Sequence, residues 1–469
     1  MTRTLVWFRD DLRTADHPAL HAACVRAAEA GEGSGSGSGD VVALYVLDEV
    51  SPGVRALGGA VKWWLHGALE SLEERLRGLG VPLLVRSGDP ARLVPELAEA
   101  LGVDRVHWSR RYGGPERDVD AGIKGRLPEL GVTPESFPSS LLHEPWTVET
   151  QTGGPYKVFT PFWREVGARS QEDPLPEPRP VAEYERVAGA VSGSGVPRGS
   201  VSDLDLRPTA PDWAGGLRRT WDPTESGGHR RLETFLQEKV DDYDESRDRP
   251  ELDGTSGLSP YLRFGQLSPR QVWTAAHEEA PEQASGFLSE LGWREFCWHL
   301  LYHFPQMPHR NLKAQFDAYP WSTREEQPEL FRAWARGETG FAWVDAGQRE
   351  LWDTGHMHNR VRMASASLLI KNFGIDWREG EAWFWDTLVD ADAASNPANW
   401  QWVAGCGADA APYFRIFNPE RQLERFDPKH RYVARWIPEL GTDDYPEPVV
   451  DLAESRREAL AHYESIRGR

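Results

Sequence analysis

The chain has 469 residues, 39% of them hydrophobic and 27% charged, and 73 acidic against 53 basic side chains give a formal net charge of −20. That composition excludes a disordered chain, and the length suits about two to four domains with a sizeable core. An acidic surface taken alone argues against nucleic-acid binding, whose phosphates need cations, so any such function requires a local basic patch.

In chain order, Thr4–Phe8, Val41–Val46, Pro82–Arg86 and Arg105–Trp108 read as short buried strands. Between them Pro18–Ala30, Gly59–Leu79 and Pro90–Leu101 carry helical periodicity, with the GEGSGSGSG run at Gly31–Gly39 as a flexible loop. Strand and helix in alternation predict a doubly wound parallel sheet of the Rossmann-like type over residues 1–135. Residues 136–211, irregular and rich in Gly, Ser and Pro around Gly189–Ser200, are expected to connect two domains. From 212 to 469 the pattern is helical, as at His229–Val240, Ser268–Glu279, Ala284–His303, Pro328–Arg336 and Met357–Phe373. The expected fold is therefore an α/β domain followed by a larger all-α domain.

The N-terminal residues lack a signal-peptide layout, and no window approaches the roughly 18 apolar residues of a membrane span. Cys24, Cys297 and Cys406 are scattered without metal spacing. A cytoplasmic chain without a structural metal is expected. The 21 Trp are read mainly as core and packing residues.

Four polar segments in the helical half carry candidate chemistry. Thr255–Pro260 (TSGLSP) sets small hydroxyl residues and a Gly at a helix start, which suits either a phosphate or a simple N-cap. In Glu290–Phe296, Glu290, Trp293 and Arg294 share one helix face, as a ligand pocket or as an i,i+4 Glu–Arg pair beside a packing Trp. Gly355–Met363 gathers two His, Asn359, Arg360 and Arg362 before an apolar run, as a cofactor site or a solvated first turn. His356 and His358 fall on different faces, so they share no metal. In Asp390–Trp402, Pro397 suits the first helical position, which makes Asn396 a candidate N-cap.

Taken together, and in this order, these segments resemble the photolyase/cryptochrome family, most closely its microbial class I cyclobutane pyrimidine dimer photolyases. Leu5–Arg13 (LVWFRDDLR), Pro155–Arg164 (PYKVFTPFWR), Asp376–Gly380 (DWREG) and the run to Pro419 extend the resemblance nearly end to end. It implies a helical domain that holds FAD, active as FADH−. Tyr243 and Thr255, Ser256, Gly257, Leu258 and Ser259 would meet its phosphates. Asp390 and Asp392 would accept hydrogen bonds from the ribityl chain and ring, Arg362 would sit against the flavin, and Asn396 would face flavin N5. Trp293, Arg294 and Asn359 would also contact the cofactor.

The implied activity is light-driven repair of DNA containing pyrimidine dimers, by a monomer, through electron transfer from excited FADH− to a flipped-out dimer. Glu290 would hydrogen-bond the dimer, Trp293 and Trp402 would pack on it, and Asn359 and Met363 would complete the pocket. Trp400, Trp377 and Trp321 would relay electrons to the flavin. Arg247, Arg294, Arg360, Arg362 and Arg415, with Arg421, Arg425, Lys429, His430, Arg431 and Arg435, are candidates for a basic rim.

The resemblance also implies a second, antenna chromophore in the α/β domain, a folate or a deazaflavin, with Arg9, Lys62 and Glu116 as contacts. Three departures stand out: Gly257 replaces a common Arg or Lys, His356 a common Trp, and His17 a usual Asn. A blue-light cryptochrome or a (6-4) photolyase is the alternative. Asn396 in place of Asp, and Glu290 with His358-Asn359 in place of Gln and His-His, favour dimer repair.

Overall fold

The computed structural model describes residues 2–34, 39–410 and 414–467. Parallel strands β1 (Arg3–Phe8), β2 (Asp40–Leu47), β3 (Leu83–Ser87), β4 (Arg105–Ser109) and β5 (Thr133–Phe137) form a sheet in the order β3-β2-β1-β4-β5. Helices α1 (Pro18–Ser34), α2 (Gly59–Gly78), α3 (Pro90–Ala100) and α4 (Gly114–Arg126) connect them. β2 is buried at every position, as a strand covered on both faces must be, and this is why it reads as an unbroken apolar run. The strand order reverses between β1 and β4, which opens a crevice beyond their carboxyl ends.

Sequence reading missed β5 and α4. β5 (TPESF) is a polar edge strand with no fully buried residue, and α4 buries only Ile123, so neither has a clear apolar period. β5 lies across the expected 135/136 boundary. α1 continues into the Gly/Ser run as far as Ser34, where a loop was expected, and residues 35–38 of that run lie outside the described residues.

The expected connector carries α5 (Phe159–Gly167) and α6 (Tyr184–Gly193), the latter covering the first five residues of Gly189–Ser200. Then follow α7 (Gly215–Thr220), α8 (Glu225–Glu238), α9 (Tyr243–Ser246), α10 (Ser259–Arg263), α11 (Pro269–Glu279) and α12 (Ser285–His303). The last group is α13 (Pro328–Arg336), α14 (Ala342–Thr354), α15 (Asn359–Ser367), α16 (Trp377–Thr387), α17 (Ser395–Ala404), α18 (Pro419–Phe426), α19 (Arg431–Trp436) and α20 (Leu452–Ile466). α15 ends in a π-helical turn, Leu368–Asn372. Among the described residues no helix is long and apolar enough to cross a membrane.

The α/β and helical domains share one hydrophobic core, in which β1 and α2 side chains pack with those of α8, α12 and α16. Polar contacts fix the seam. The Leu12 amide donates to the Phe264 carbonyl at 2.9 Å, Arg263 pairs with Asp10 at 2.6 Å, and Trp64 Nε1 donates to Gln266 at 2.8 Å. His17, the departure after the first turn, lies within that turn: its Nε2 is 2.8 Å from Asp11 and its Nδ1 accepts from the Leu20 amide.

At the linker, the buried Glu295 of α12 accepts from the Leu142 amide at 2.9 Å. Burial pushes its carboxyl up to about 7. The folded chain therefore keeps a proton that the unfolded chain releases above about 4.5, and this stabilisation is lost as pH rises through 7. Relative to the parent, E295Q should gain up to about 3 kcal/mol between those pH values, read from urea midpoints. α16 meets α17 at Gly380, where a Cβ would collide with the Trp400 ring. G380A should cost about 1–3 kcal/mol in the same measurement.

Candidate functional site

A cavity of ≈ 510 Å³ opens among the α9–α10 region, α12, α15, α16 and α17. That is the size range of small-molecule and cofactor pockets, roughly 300–1,000 Å³. It gathers segments that lie far apart in the chain. Tyr243, Arg247 and the turn Thr255, Ser256, Gly257, Leu258 and Ser259 line one side. Glu290, Trp293 and Arg294 come from α12, and Asn359, Arg360, Arg362 and Met363 from α15. Asp390 and Asp392, from the loop before α17, and Asn396, Trp400 and Trp402 complete the wall. Trp377, Trp321 and Arg415 do not line it.

The polar groups pair with one another and leave defined atoms over. Arg362 holds Asp390 at 3.0 Å, and Ser259 Oγ donates to the same carboxylate at 2.7 Å. Burial pushes Asp390 up, but Arg362 outweighs it and holds the carboxyl below its ordinary value. Asp392 Oδ1 accepts from the Ala394 and Ser395 amides at 2.8 and 2.5 Å, and its Oδ2 has no donor among the described residues.

Asn396 is not the N-cap that its position before Pro397 suggested. α17 begins one residue earlier, and Asp392 takes up the first free amides. Asn396 Nδ2 instead donates to the main-chain oxygen of Glu381 at 3.1 Å and to its Oε1 at 2.8 Å. Its Oδ1 has no donor among the described residues. The cavity thus offers two free acceptors, Asp392 Oδ2 and Asn396 Oδ1, between apolar walls that include Phe287, Leu291, Phe384 and Val403. A flat ring edged with N–H groups, such as the flavin of FAD, fits that donor demand.

The Glu290–Arg294 pair allowed by spacing is not made. Glu290 pairs with Arg247 at 2.5 Å, and Arg294 turns to the Ser140 carbonyl at 2.8 Å and to Glu295 at 3.3 Å. Arg360 is bound bidentately by Asp248 at 2.7 and 2.9 Å. The first turn of α15 is not simply solvated: His358 is buried, its Nδ1 accepts from the Arg360 amide, and burial lowers its pKa to about 4. Trp293 stacks on Phe159 with ring centroids 3.8 Å apart, and Trp402 Nε1 donates to the Asp409 carbonyl.

Gly257 has a left-handed φ of +61°, and a Cβ there would meet Arg231 Nη1 at 2.5 Å. The guanidinium of Arg231, from α8, thus stands where a residue-257 side chain would begin. No sequence spacing pointed to Arg231, nor to Asp248 or Glu381. Trp377 is fully buried and its Nε1 donates to Asn311 at 2.9 Å. Trp321 packs on Tyr319 with centroids 4.8 Å apart. Trp400 also meets Trp334 at 6.2 Å.

Among the expected rim cations, Arg247, Arg294, Arg360 and Arg362 are each ion-paired. Arg415 lies over Trp402 and Phe417. Arg421, Arg425, Lys429, His430, Arg431 and Arg435, on and between α18 and α19, are exposed and have no ion pair among the described residues. α18 packs against α15, and Arg360 lies over its Phe426, so α18 neighbours the cavity wall although none of these six residues lines it. Residues 411–413, within the expected run to Pro419, lie outside the described residues.

A second cavity, ≈ 530 Å³, lies in the crevice beyond β1 and β4, against the helical domain. Of the three residues named for an antenna, Arg9 and Glu116 line it, and Lys62 does not and pairs with Glu49 at 2.8 Å. Arg111 lines it with Nε and Nη2 buried and without hydrogen-bond partners among the described residues.

Comparison with known proteins follows the same outline. The family described as DNA photolyase matches residues 4–180, and the FAD binding domain of DNA photolyase matches residues 287–442. A deoxyribodipyrimidine photo-lyase of Agrobacterium fabrum is 42% identical over 493 residues, spanning 99% of this chain and 98% of its own. The structure of a bacterial class III photolyase from Agrobacterium tumefaciens matches with a TM-score of 0.89 at 40% identity, covering 100% of this chain and 98% of that one. An archaeal photolyase from Sulfolobus tokodaii, solved with two FAD molecules, matches with a TM-score of 0.81 at 26% identity, covering 99% and 100%. These likenesses define the family and not the class within it: the chain belongs to the photolyase/cryptochrome family.

Proposed function

We propose that the chain is a deoxyribodipyrimidine photo-lyase, which repairs cyclobutane pyrimidine dimers in DNA under blue light with FAD in the 510 Å³ cavity. The observation that carries this reading is the meeting of Asp392 and Asn396, with their free acceptors, and Glu290 in one cavity. When bound and reduced, FAD supplies on excitation the electron that makes the dimer ring cleavable.

The chain's own residues bind and position. Tyr243 and the Thr255–Ser259 turn hold the phosphates, with Arg231 supplying the cation that Gly257 lacks. The Arg362–Asp390 pair and Asp392 fix the ring and ribityl chain. Glu290 exchanges Arg247 for the lesion, and its carboxyl must carry a proton to donate to a dimer carbonyl. Trp293 and Trp402 hold the flipped bases by their faces, and Asn359 and Met363 close the pocket.

Trp400, Trp377 and Trp321 serve as the relay. Trp400 lies on Gly380, one turn from Trp377, and a Ser322–Ile375 bridge sets the Trp321 loop beside the start of α16. The α18–α19 cations bind backbone phosphates of the damaged DNA, since their five Lys and Arg outnumber the exposed Glu420 and Glu424. The second cavity takes an antenna chromophore with an anionic group for Arg111. The Sulfolobus relative, solved with two FAD molecules, supports a flavin-like ligand beside the expected folate or deazaflavin.

Purified protein, reduced and illuminated at blue wavelengths with a thymine-dimer oligonucleotide, should restore thymines. Bound FAD with intact dimers would instead favour a light-sensing flavoprotein. E290A should lower the repair yield roughly tenfold or more while flavin absorbance is unchanged; loss of flavin would mean that Glu290 serves the cofactor. Replacing Arg421, Arg425 and Arg431 by Gln should weaken binding and flatten the slope of log affinity against log salt by about 0.9 for each phosphate left unneutralised. An unchanged slope would place the DNA elsewhere.

A further inference from the structure

We propose that Arg55 and Glu381 are positioning residues that fix the Asn396 amide with its carbonyl oxygen toward the cavity and so favour the reduced form of the bound flavin. This rests on the reading that Asn396 faces flavin N5.

The contacts run from one domain to the other. Arg55 belongs to the loop between β2 and α2, and its Nη1 donates to both carboxylate oxygens of Glu381 at 2.7 and 2.9 Å. Its guanidinium lies over the Trp385 ring at 4.3 Å, while Trp385 Nε1 donates back to the Ala56 carbonyl at 2.8 Å. Glu381, on α16, is buried and receives Asn396 Nδ2 on both its main-chain oxygen and its carboxylate.

That arrangement dictates which way the amide points. A carbonyl and an ionised carboxylate can only accept, so Asn396 must turn its NH2 group toward Glu381. A flipped amide would set its oxygen against two other acceptors inside a buried site, with no donor among them. The orientation therefore follows from the chemistry of the partner and not from which atom is named nitrogen. Burial pushes the Glu381 carboxyl up, and the Arg55 contact opposes that rise, so the cation keeps the acceptor available.

The consequence falls on the cavity side. Oδ1 is an acceptor: it stabilises a ligand nitrogen that carries hydrogen and repels one that presents a lone pair. Oxidised flavin takes up two electrons and one proton to become FADH−, and the proton resides on N5. An N5 that has gained hydrogen meets Oδ1 as a donor, whereas the oxidised ring meets it lone pair to lone pair. Arg55 and Glu381 line the second cavity and not the one assigned to the catalytic FAD. They act through Asn396.

The test equilibrates FAD-loaded parent, E381Q and R55Q with dithionite and a redox dye at one fixed potential, and reads reduced against oxidised flavin by absorbance. In E381Q the new amide can donate to Asn396 Oδ1, which leaves the main-chain oxygen of residue 381 as the one contact that still opposes the flip. In R55Q the carboxyl loses the cation that opposes its upward shift and becomes a weaker acceptor for Asn396, with the same effect. Both should show a fall of about tenfold in the reduced-to-oxidised ratio, with unchanged FAD stoichiometry. R55K, which keeps the charge, should stay within about twofold of the parent. Variants that bind FAD fully and keep the parent ratio overturn the proposal while leaving the FAD site standing. A parent that takes up no FAD overturns the FAD reading and this inference with it. Should E381Q not fold, R55Q decides the matter, because its site lies at a partly exposed loop.

Discussion

Arg13 is a fully buried guanidinium whose partners come from three parts of the chain. It donates to the Asp16 carbonyl at 3.0 and 2.7 Å, to the Gly265 carbonyl at 2.9 Å, and to Ser139 at 3.1 and 2.7 Å. A charge in that position is tolerated only when its donors are satisfied, and here they are satisfied only with the domains together. Beside it Asp10 holds Arg263, and Arg263 Nε donates to the Ala391 carbonyl at 2.8 Å. The seam therefore continues into the loop that carries Asp390 and Asp392. The cavity is a product of domain docking as much as of the helices that line it.

Within the cavity, most charges are paired before any ligand is considered. Arg362 takes Asp390, Arg247 takes Glu290, and Arg360 takes Asp248. Buried groups must be paired to be stable, so specificity resides in the atoms left over, not in net charge. Asp392 Oδ2 and Asn396 Oδ1 are such atoms, and a ligand is recognised by what it offers them. The many Trp serve the same economy of shape. Trp400 is held by Gly380 and Phe384, and Trp64 is packed by Trp221, Tyr261 and Phe264 across the seam.

Much of this was legible in the sequence for physical reasons. Strands covered on both faces read as apolar runs, and β1 to β4 were found that way. β5 and α4 were missed because an edge element owes its place to its neighbours and needs little apolar surface of its own. The site segments were found through ordered motifs, and the cavity gathers them. Their partners were not found, because Arg55 and Glu381 stand 326 positions apart and Arg360 and Asp248 112 apart. Local spacing suggested a Glu290–Arg294 pair and an Asn396 cap. Tertiary partners, Arg247 and Glu381, offered better geometry and won. Gly257 lacks a cationic side chain, and the fold sets the Arg231 guanidinium beside it, 231 being a position no spacing singled out.

The exposed cations of α18 and α19 sit on a body whose net charge is −20. For a polyanion approaching from solution, the net charge repels and an exposed cluster of cations attracts. If the α18–α19 cations bind DNA as proposed, the acidic excess that at first argued against DNA would act as a guide, discouraging landings elsewhere on the surface. Undamaged duplex would be held briefly and released, which suits a protein that must inspect many base pairs to find one lesion.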